Sequence, residues 1–303
     1  MEGRKFTEMM GSMLAASFVF SSGFVKSVGV FLMQNLWVSE FWMPFWTGGI
    51  FYPILLISVF LLNHIPPPSA EDVALRSFRP PMDQKSRREF FREFRPGIIM
   101  LILVYMMLTG LRDLRDNFVV EIWAAMQIGV APELLTQTEI PITLFLLVLM
   151  SCLVLVKNNK AAFFLNIWII LAGFATAIGG TLGFQSGIVS PFYWMVLVGT
   201  GVYMSYIPFN SLLFDRLIAT FRTVGNVGFL MYLVDSFGYL GSSLVLVSKQ
   251  FGVLQGLSWF HFYLSSVLIF LSISLVLMAF SFFYFQKKLR SREKSHLSFP
   301  QVI

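Results

Sequence analysis

The sequence predicts an all-α polytopic membrane protein with about eight transmembrane helices, and three observations predict it. Hydrophobic residues make up 56% of the 303 residues and charged ones only 13%, with a mean hydropathy of +0.74, a balance outside the range of soluble domains. Apolar runs recur near residues 8–33, 41–62, 97–123, 138–156, 161–184, 191–214, 223–248 and 259–285, each long enough to cross a bilayer as a helix. The basic residues also segregate. Arg4 and Lys5, the 63–96 loop, Lys157 and Lys160, Arg216 and Arg222, and Lys287-Lys288-Leu289-Arg290 all fall on one side of this zigzag. The opposite connections, near 34–40, 128–138, 185–190 and 249–257, carry only Lys249. Positive charge stays cytoplasmic, so both termini are expected in the cytoplasm and the number of spans is even.

The same composition excludes several classes. The net charge of +6 is accounted for by loops that set topology, which leaves no nucleic-acid partner to infer. A single cysteine, Cys152, in an apolar run and three scattered histidines, His64, His261 and His296, offer no disulfide framework, metal site or cofactor site. The first apolar run is too long for a cleavable signal peptide and lacks its flanking pattern.

The first of the two spans in residues 1–62 carries Lys26 with Ser22, Gly23 and Gly29 on its face; the ammonium either reaches a neighbouring helix or snorkels to the surface. Residues 63–96 form the one long loop, opening on Pro66-Pro67-Pro68. Its end, residues 84–95, combines the capping-box spacing Ser86-Arg87-Arg88-Glu89 with Phe90, Phe91 and Phe94. That pattern reads either as a helix on the membrane surface or as a solvated connector. This loop divides the chain into two spans (1–62) and six (97–286), with a basic tail at 287–303.

The third span holds the least expected feature, Arg112-Asp113-Leu114-Arg115-Asp116-Asn117 inside an apolar run. At about 100° per residue, Tyr105, Thr109, Arg112, Asp113, Asp116 and Asn117 share one face, and Val104, Met107, Leu111, Leu114, Phe118 and Ile122 the opposite one. Charges at bilayer depth are costly and so pair or line a hydrated path. Arg112 and Asp116 have the i,i+4 spacing of a pair. Two readings stand open: a structural network that locks helices together, or a solute or ion pathway.

In the fourth span Glu139, like Glu121 at the end of the third, reads as close to the outer surface and hydrated. Gly173, Ala177 and Gly180 in the fifth span, with Gly225, Gly228, Gly238 and Gly241 around the seventh, mark close helix approach. The sixth span has Tyr203, Tyr206, Pro208 and Asn210 before Asp215-Arg216, with a kink expected at Pro208 and a short turn at residues 217–221. Asp235, halfway along the seventh, has a stem too short to snorkel. It is the candidate proton carrier, or else a hydrogen-bonded structural aspartate.

Two spans, a basic loop of some thirty residues and six further spans resemble spans five to twelve of the major facilitator superfamily. More closely, Glu2-Gly3-Arg4-Lys5, Ser22-Gly23-Phe24-Val25-Lys26-Ser27-Val28-Gly29, Arg112-Asp113-Leu114-Arg115-Asp116-Asn117-Phe118 with Glu121-Ile122-Trp123, and Tyr206-Ile207-Pro208-Phe209-Asn210 with Phe214-Asp215-Arg216 resemble an uncharacterised bacterial family of facilitator-like membrane proteins, a domain of unknown function. The resemblance implies a partial facilitator-type fold in the bacterial inner membrane, in which six-helix halves enclose a cavity. It also implies four further spans ahead of Met1, so the chain is expected to be a fragment of a longer transporter.

The resulting expectation is a secondary transporter of a small polar solute, with proton coupling as an open option. Arg112, Asp113, Arg115, Asp116, Asn117, Lys26, Tyr206 and Asn210 are the solute-binding or gating candidates, and Asp235 the coupling candidate. The rivals are a non-transporting scaffold or sensor of the same fold and a membrane-embedded enzyme; no nucleophile, metal cluster or phosphate loop supports the enzyme, and catalytic residues are expected to be absent. Reporter tags at Met1 and Ile303 should both register cytoplasm, and one near Glu133 the opposite compartment. An opposite result at either terminus overturns the even span count.

Overall fold

The computed structural model describes residues 7–67, 69–70, 82–126, 128–129, 131–223, 225–251 and 256–297. Among them the fold is all helical: α1 (Thr7–Asn35), α2 (Met43–Asn63), α3 (Gln84–Ala125), α4 (Pro132–Val154), α5 (Asn159–Gln185), α6 (Pro191–Ser211), α7 (Leu213–Phe221), α8 (Val227–Phe251) and α9 (Trp259–Leu297). All except α7 are long and apolar enough to cross a membrane, as the sequence predicts. The Glu2-Gly3-Arg4-Lys5 segment lies outside the described residues.

Local chemistry sets the helix ends. Pro132 opens α4 and Pro191 opens α6 at first-turn positions where a missing N–H costs nothing. The Asp83 carboxylate accepts the Ser86 amide at 2.8 Å to start α3, and Asn158 accepts the Ala161 amide at 3.1 Å to start α5. Hydrogen bonds from Ser86 hold the Asp83 carboxyl below the usual carboxylate range. The cap therefore stays ionised through mildly acidic pH and weakens only as pH falls through that lowered value. Arg222 sits at φ 46°, ending α7 in the left-handed conformation.

Two expected boundaries differ. The 84–95 segment is no separate surface helix; it runs without interruption through Pro96 into the third span. Part of its aromatic face is held by protein, since Phe90 and Phe94 are buried and the Phe94 ring packs 5.1 Å from Phe221 of α7. The tail begins equally late, because α9 stays helical through Lys287-Lys288-Leu289-Arg290. There Lys288 donates to the Glu93 carbonyl at 2.6 Å, and Arg292 pairs with the Glu93 carboxylate and donates to the Phe221 carbonyl. Residues 217–221, expected as a turn, complete the short α7, which follows a break at Leu212, four residues past Pro208.

Helix α3 is the hub, packing on α6, α8 and α9, while α1 packs on α4 across the long linker and α5 on α6. The small residues act as anticipated. A Cβ on Gly201 would stand 2.8 Å from both the Ala177 Cβ and its amide nitrogen, and one on Gly238 2.9 Å from Tyr105 and Thr109 of α3. By contrast α2 buries only Thr47 and presents aromatic and aliphatic side chains along the rest of its length. Because the α5–α6 contact has no room for a branched side chain, Gly201→Val should destabilise the fold by about 1–3 kcal/mol. Thermal unfolding in detergent should show this as a lowered transition relative to a lipid-facing control such as Val148→Ile.

Candidate functional site

The polar residues of the third span are brought together with partners from α1, α4, α6 and α8, and they form two groups one helical turn apart. In the first, Arg115 is 1% exposed and its Nη1 lies 2.7 Å from Glu139 Oε1, itself 7% exposed in its side chain. Two glycines make this approach sterically feasible. A Cβ on Gly199 of α6 would stand 2.8 Å from Arg115 Nη2, and one on Gly23 of α1 would collide with the Glu139 side chain. The guanidinium also lies 5.6 Å from the Tyr203 ring centre, a cation–π contact. Its Nε and Nη2, and Oε2 of Glu139, make no hydrogen bond among the described residues.

Glu139 is thus no hydrated surface residue. Helix α4 begins at Pro132, six residues before the expected edge of that span, which sets Glu139 about 9 Å deeper along the helix axis than the sequence boundary implied. Beside it the Ser27 and Thr136 hydroxyls lie 2.6 Å apart, and the Thr136 amide donates to Ser27 at 3.1 Å. Asp116 joins the same group by accepting the Tyr203 hydroxyl at 2.7 Å. Lys26 reaches it at 3.8 Å while donating to Ser22 at 2.9 Å, so the ammonium points inward to a partner instead of snorkelling.

The second group starts from Arg112, whose expected pairing is corrected. It binds its neighbour Asp113, at 2.7 Å from Nη2 and 3.0 Å from Nε, and not Asp116, because Asp116 is turned toward Tyr203 and Lys26. Nη1 donates to the Tyr206 hydroxyl, and the guanidinium lies 4.6 Å from the Tyr206 ring centre. Tyr105 stacks on Tyr206 with centroids 5.2 Å apart. Its hydroxyl lies 2.9 Å from the Tyr206 oxygen, 3.2 Å from Asn210 Oδ1 and 2.5 Å from Asp235 Oδ1. One phenolic proton serves one acceptor. The Asp235 carboxylate is nearest, so it accepts the Tyr105 hydrogen bond, and the Tyr206 hydroxyl is left to donate to the Tyr105 oxygen. The result is a continuous chain, Asp113 to Arg112 to Tyr206 to Tyr105 to Asp235, anchored on α8 a second time where Ser242 donates to Asp113 at 2.6 Å.

Of the expected site residues, Lys26, Arg112, Asp113, Arg115, Asp116, Tyr206, Asn210 and Asp235 therefore meet in one region. Asn117 does not join them. It is exposed and its side chain forms no hydrogen bond with a described residue, on the last turn before the backbone of α3 breaks at Phe118 (φ −120°, ψ 20°). Sequence reasoning left Glu139, Tyr105, Tyr203 and Ser242 off the site. Tyr105 was the recoverable one, since it shares the polar face of α3; the others depend on which helices touch.

Burial divides the roles. Arg115 and Glu139 are enclosed, whereas the side chains of Arg112, Asp113, Asp116 and Lys26 are each 20–30% exposed. Three cations face four carboxylates, so with all of them ionised the region carries one surplus negative charge. Asp235 holds it, because no cation lies within ion-pairing distance of it among the described residues. Removing one partner of an enclosed pair strands the other's charge. Glu139→Ala should cost about 3–5 kcal/mol, and the double substitution Arg115→Met with Glu139→Leu much less than that. The comparison of folded yield and thermal stability across the four proteins checks it; equal losses would remove the pair from any structural role.

No curated protein and no solved structure matches the chain. A protein-family model does, over residues 1–288, and it carries the description Family of unknown function (DUF5690). Covering nearly all of the sequence, that match makes the chain a member of this uncharacterised family.

Proposed function

We propose that the protein is a facilitator-like secondary transporter of a small polar solute in the bacterial inner membrane, with Asp235 as the proton-coupling carboxylate. The observation that carries this reading is the surplus carboxylate: Asp235 has a neutral phenol as its partner, and a hydrogen-bonded chain through Tyr105 and Tyr206 joins it to the partly exposed Arg112. A carboxylate at bilayer depth whose partner is a neutral phenol is a position from which a proton could be taken up and passed on. Protonating it removes the acceptor that orders the chain, so the change is felt at Arg112, where an anionic or polar group of a solute would compete with Asp113.

The arrangement of helices supports the same reading. The segment before the linker supplies Lys26 and the segment after it supplies Asp116, at 3.8 Å, so relative motion of the two segments would make or break this pair as a gate. Arg115 and Glu139 act differently, as the enclosed lock that holds α3 to α4. A scaffold or sensor of the same architecture is the second reading, favoured by that lock, which a static fold needs as much as a moving one.

Flux into vesicles decides between them. Proteoliposomes carrying the native gene product, tested with sugars, amino acids and organic anions, should accumulate at least one solute when a proton gradient is imposed. Asp235→Asn should abolish gradient-driven accumulation by tenfold or more, about 1.4 kcal/mol or greater, while leaving solute exchange without a gradient. A monodisperse protein that moves none of the panel points to the scaffold; product formation in detergent, with no gradient, points to an enzyme.

A further inference from the structure

A second site lies away from the charged groups, in a cleft between α3 and α8. It has a volume of about 550 Å³, within the range of small-molecule and lipid-chain sites. Its walls are apolar: Phe91, Ile99, Leu103 and Met106 from α3, and Leu233 and Phe237 from α8. Its polar side chains are gathered at one end, where Arg87 and Arg88 stand in the first turns of α3. Both arginines are exposed. Arg87 leans across the mouth, its guanidinium 5.5 Å from the Phe229 ring centre at the start of α8. Neither is within ion-pairing distance of a described carboxylate, and the nearby Asp83 is engaged in capping Ser86.

From Arg87 to Met106 the helix rises about 28 Å, more than the depth of one leaflet. A cationic mouth leading into an apolar slot of that length is complementary to one kind of molecule, an anionic headgroup with a chain behind it. We propose that this cleft binds an anionic phospholipid, with its phosphate at Arg87 and Arg88 and one acyl chain laid between α3 and α8. The occupant would bridge two helices that also carry Asp113, Ser242 and Asp235, and so brace the wall of the transport site without entering it.

Native mass spectrometry of the purified protein, mixed with equimolar dioleoyl phosphatidylglycerol and dioleoyl phosphatidylcholine, tests the assignment. The wild type should retain phosphatidylglycerol in preference. Arg87→Gln and Arg88→Gln should each cut that preference about fivefold, the weight of one basic residue at an anionic surface. Leu103→Trp, which fills the slot, should lose both lipids; Leu233→Trp on the facing wall gives the same reading if the first variant fails to fold. Equal retention of the two lipids by the wild type, or full retention by a folded tryptophan variant, overturns the proposal. A dimer that dissociates when the slot is filled also overturns it, by giving the cleft to a second copy of the chain.

Discussion

An arginine that is 1% exposed and a glutamate from another helix, 2.7 Å apart, constrain much of what surrounds them. Neither charge is stable at that depth alone, so α3 and α4 must meet at one register. The pair is also wide, and its neighbours yield space for it: Gly199 on α6 lies against the guanidinium and Gly23 on α1 against the glutamate stem. Four helices are thereby held around one ionic contact. The incomplete hydrogen bonding of Nε, Nη2 and Oε2 fits an interaction selected for register more than for net stability, because an apolar pair of equal volume would pack there at less cost in desolvation.

From that fixed point the chemistry grades outward. On either side of Arg115 along α3, at Arg112 and Asp116, the side chains become partly exposed, and single strong pairs give way to shared ones. Asp116 divides itself between Tyr203, Lys26 and Arg115, and Arg112 between Asp113 and Tyr206. A rigid register and shared contacts are combined on the same helix by placing them on different faces.

Much of this was legible from the residues alone. Eight spans, their order, the polar face of α3 and the close approach of α5 to α6 follow from hydropathy and small-residue spacing, both local properties of the chain. Partner identity does not. Arg112 and Asp116 have the spacing of a helical pair, yet each finds a better partner, because Tyr203 and Tyr206 arrive from α6 and Lys26 from α1, positions that only the packing of separate helices determines. Glu139 was misplaced for a simpler reason. Hydropathy marks where lipid begins, whereas Pro132 marks where the helix begins, and the polar turns between them, Glu133 to Thr138, are helical without being apolar. The aromatic stretch at 84–95 shows the converse ambiguity: an amphipathic helix reads the same whether its Phe side chains meet lipid or, as here, α7 and α9.

The length of α3 has a mechanical consequence. At 42 residues it rises about 63 Å, roughly twice the hydrocarbon core, and even a steep tilt leaves several turns outside the bilayer. Near its start the helix is fastened by Phe94 against Phe221 and by Glu93 to Arg292. Helix α3 is therefore a strut longer than the membrane is thick, its charged turn about 20 Å from the Ala125 end, with a backbone discontinuity at Phe118 just beyond. A push applied at the fastened end travels along a helix that lacks only the hydrogen bond Pro96 has no N–H to donate, as far as Asn117, and is absorbed at Phe118, where the ring lies flat on Trp259 with centroids 3.5 Å apart. The charged residues lie on the stiff side of that joint.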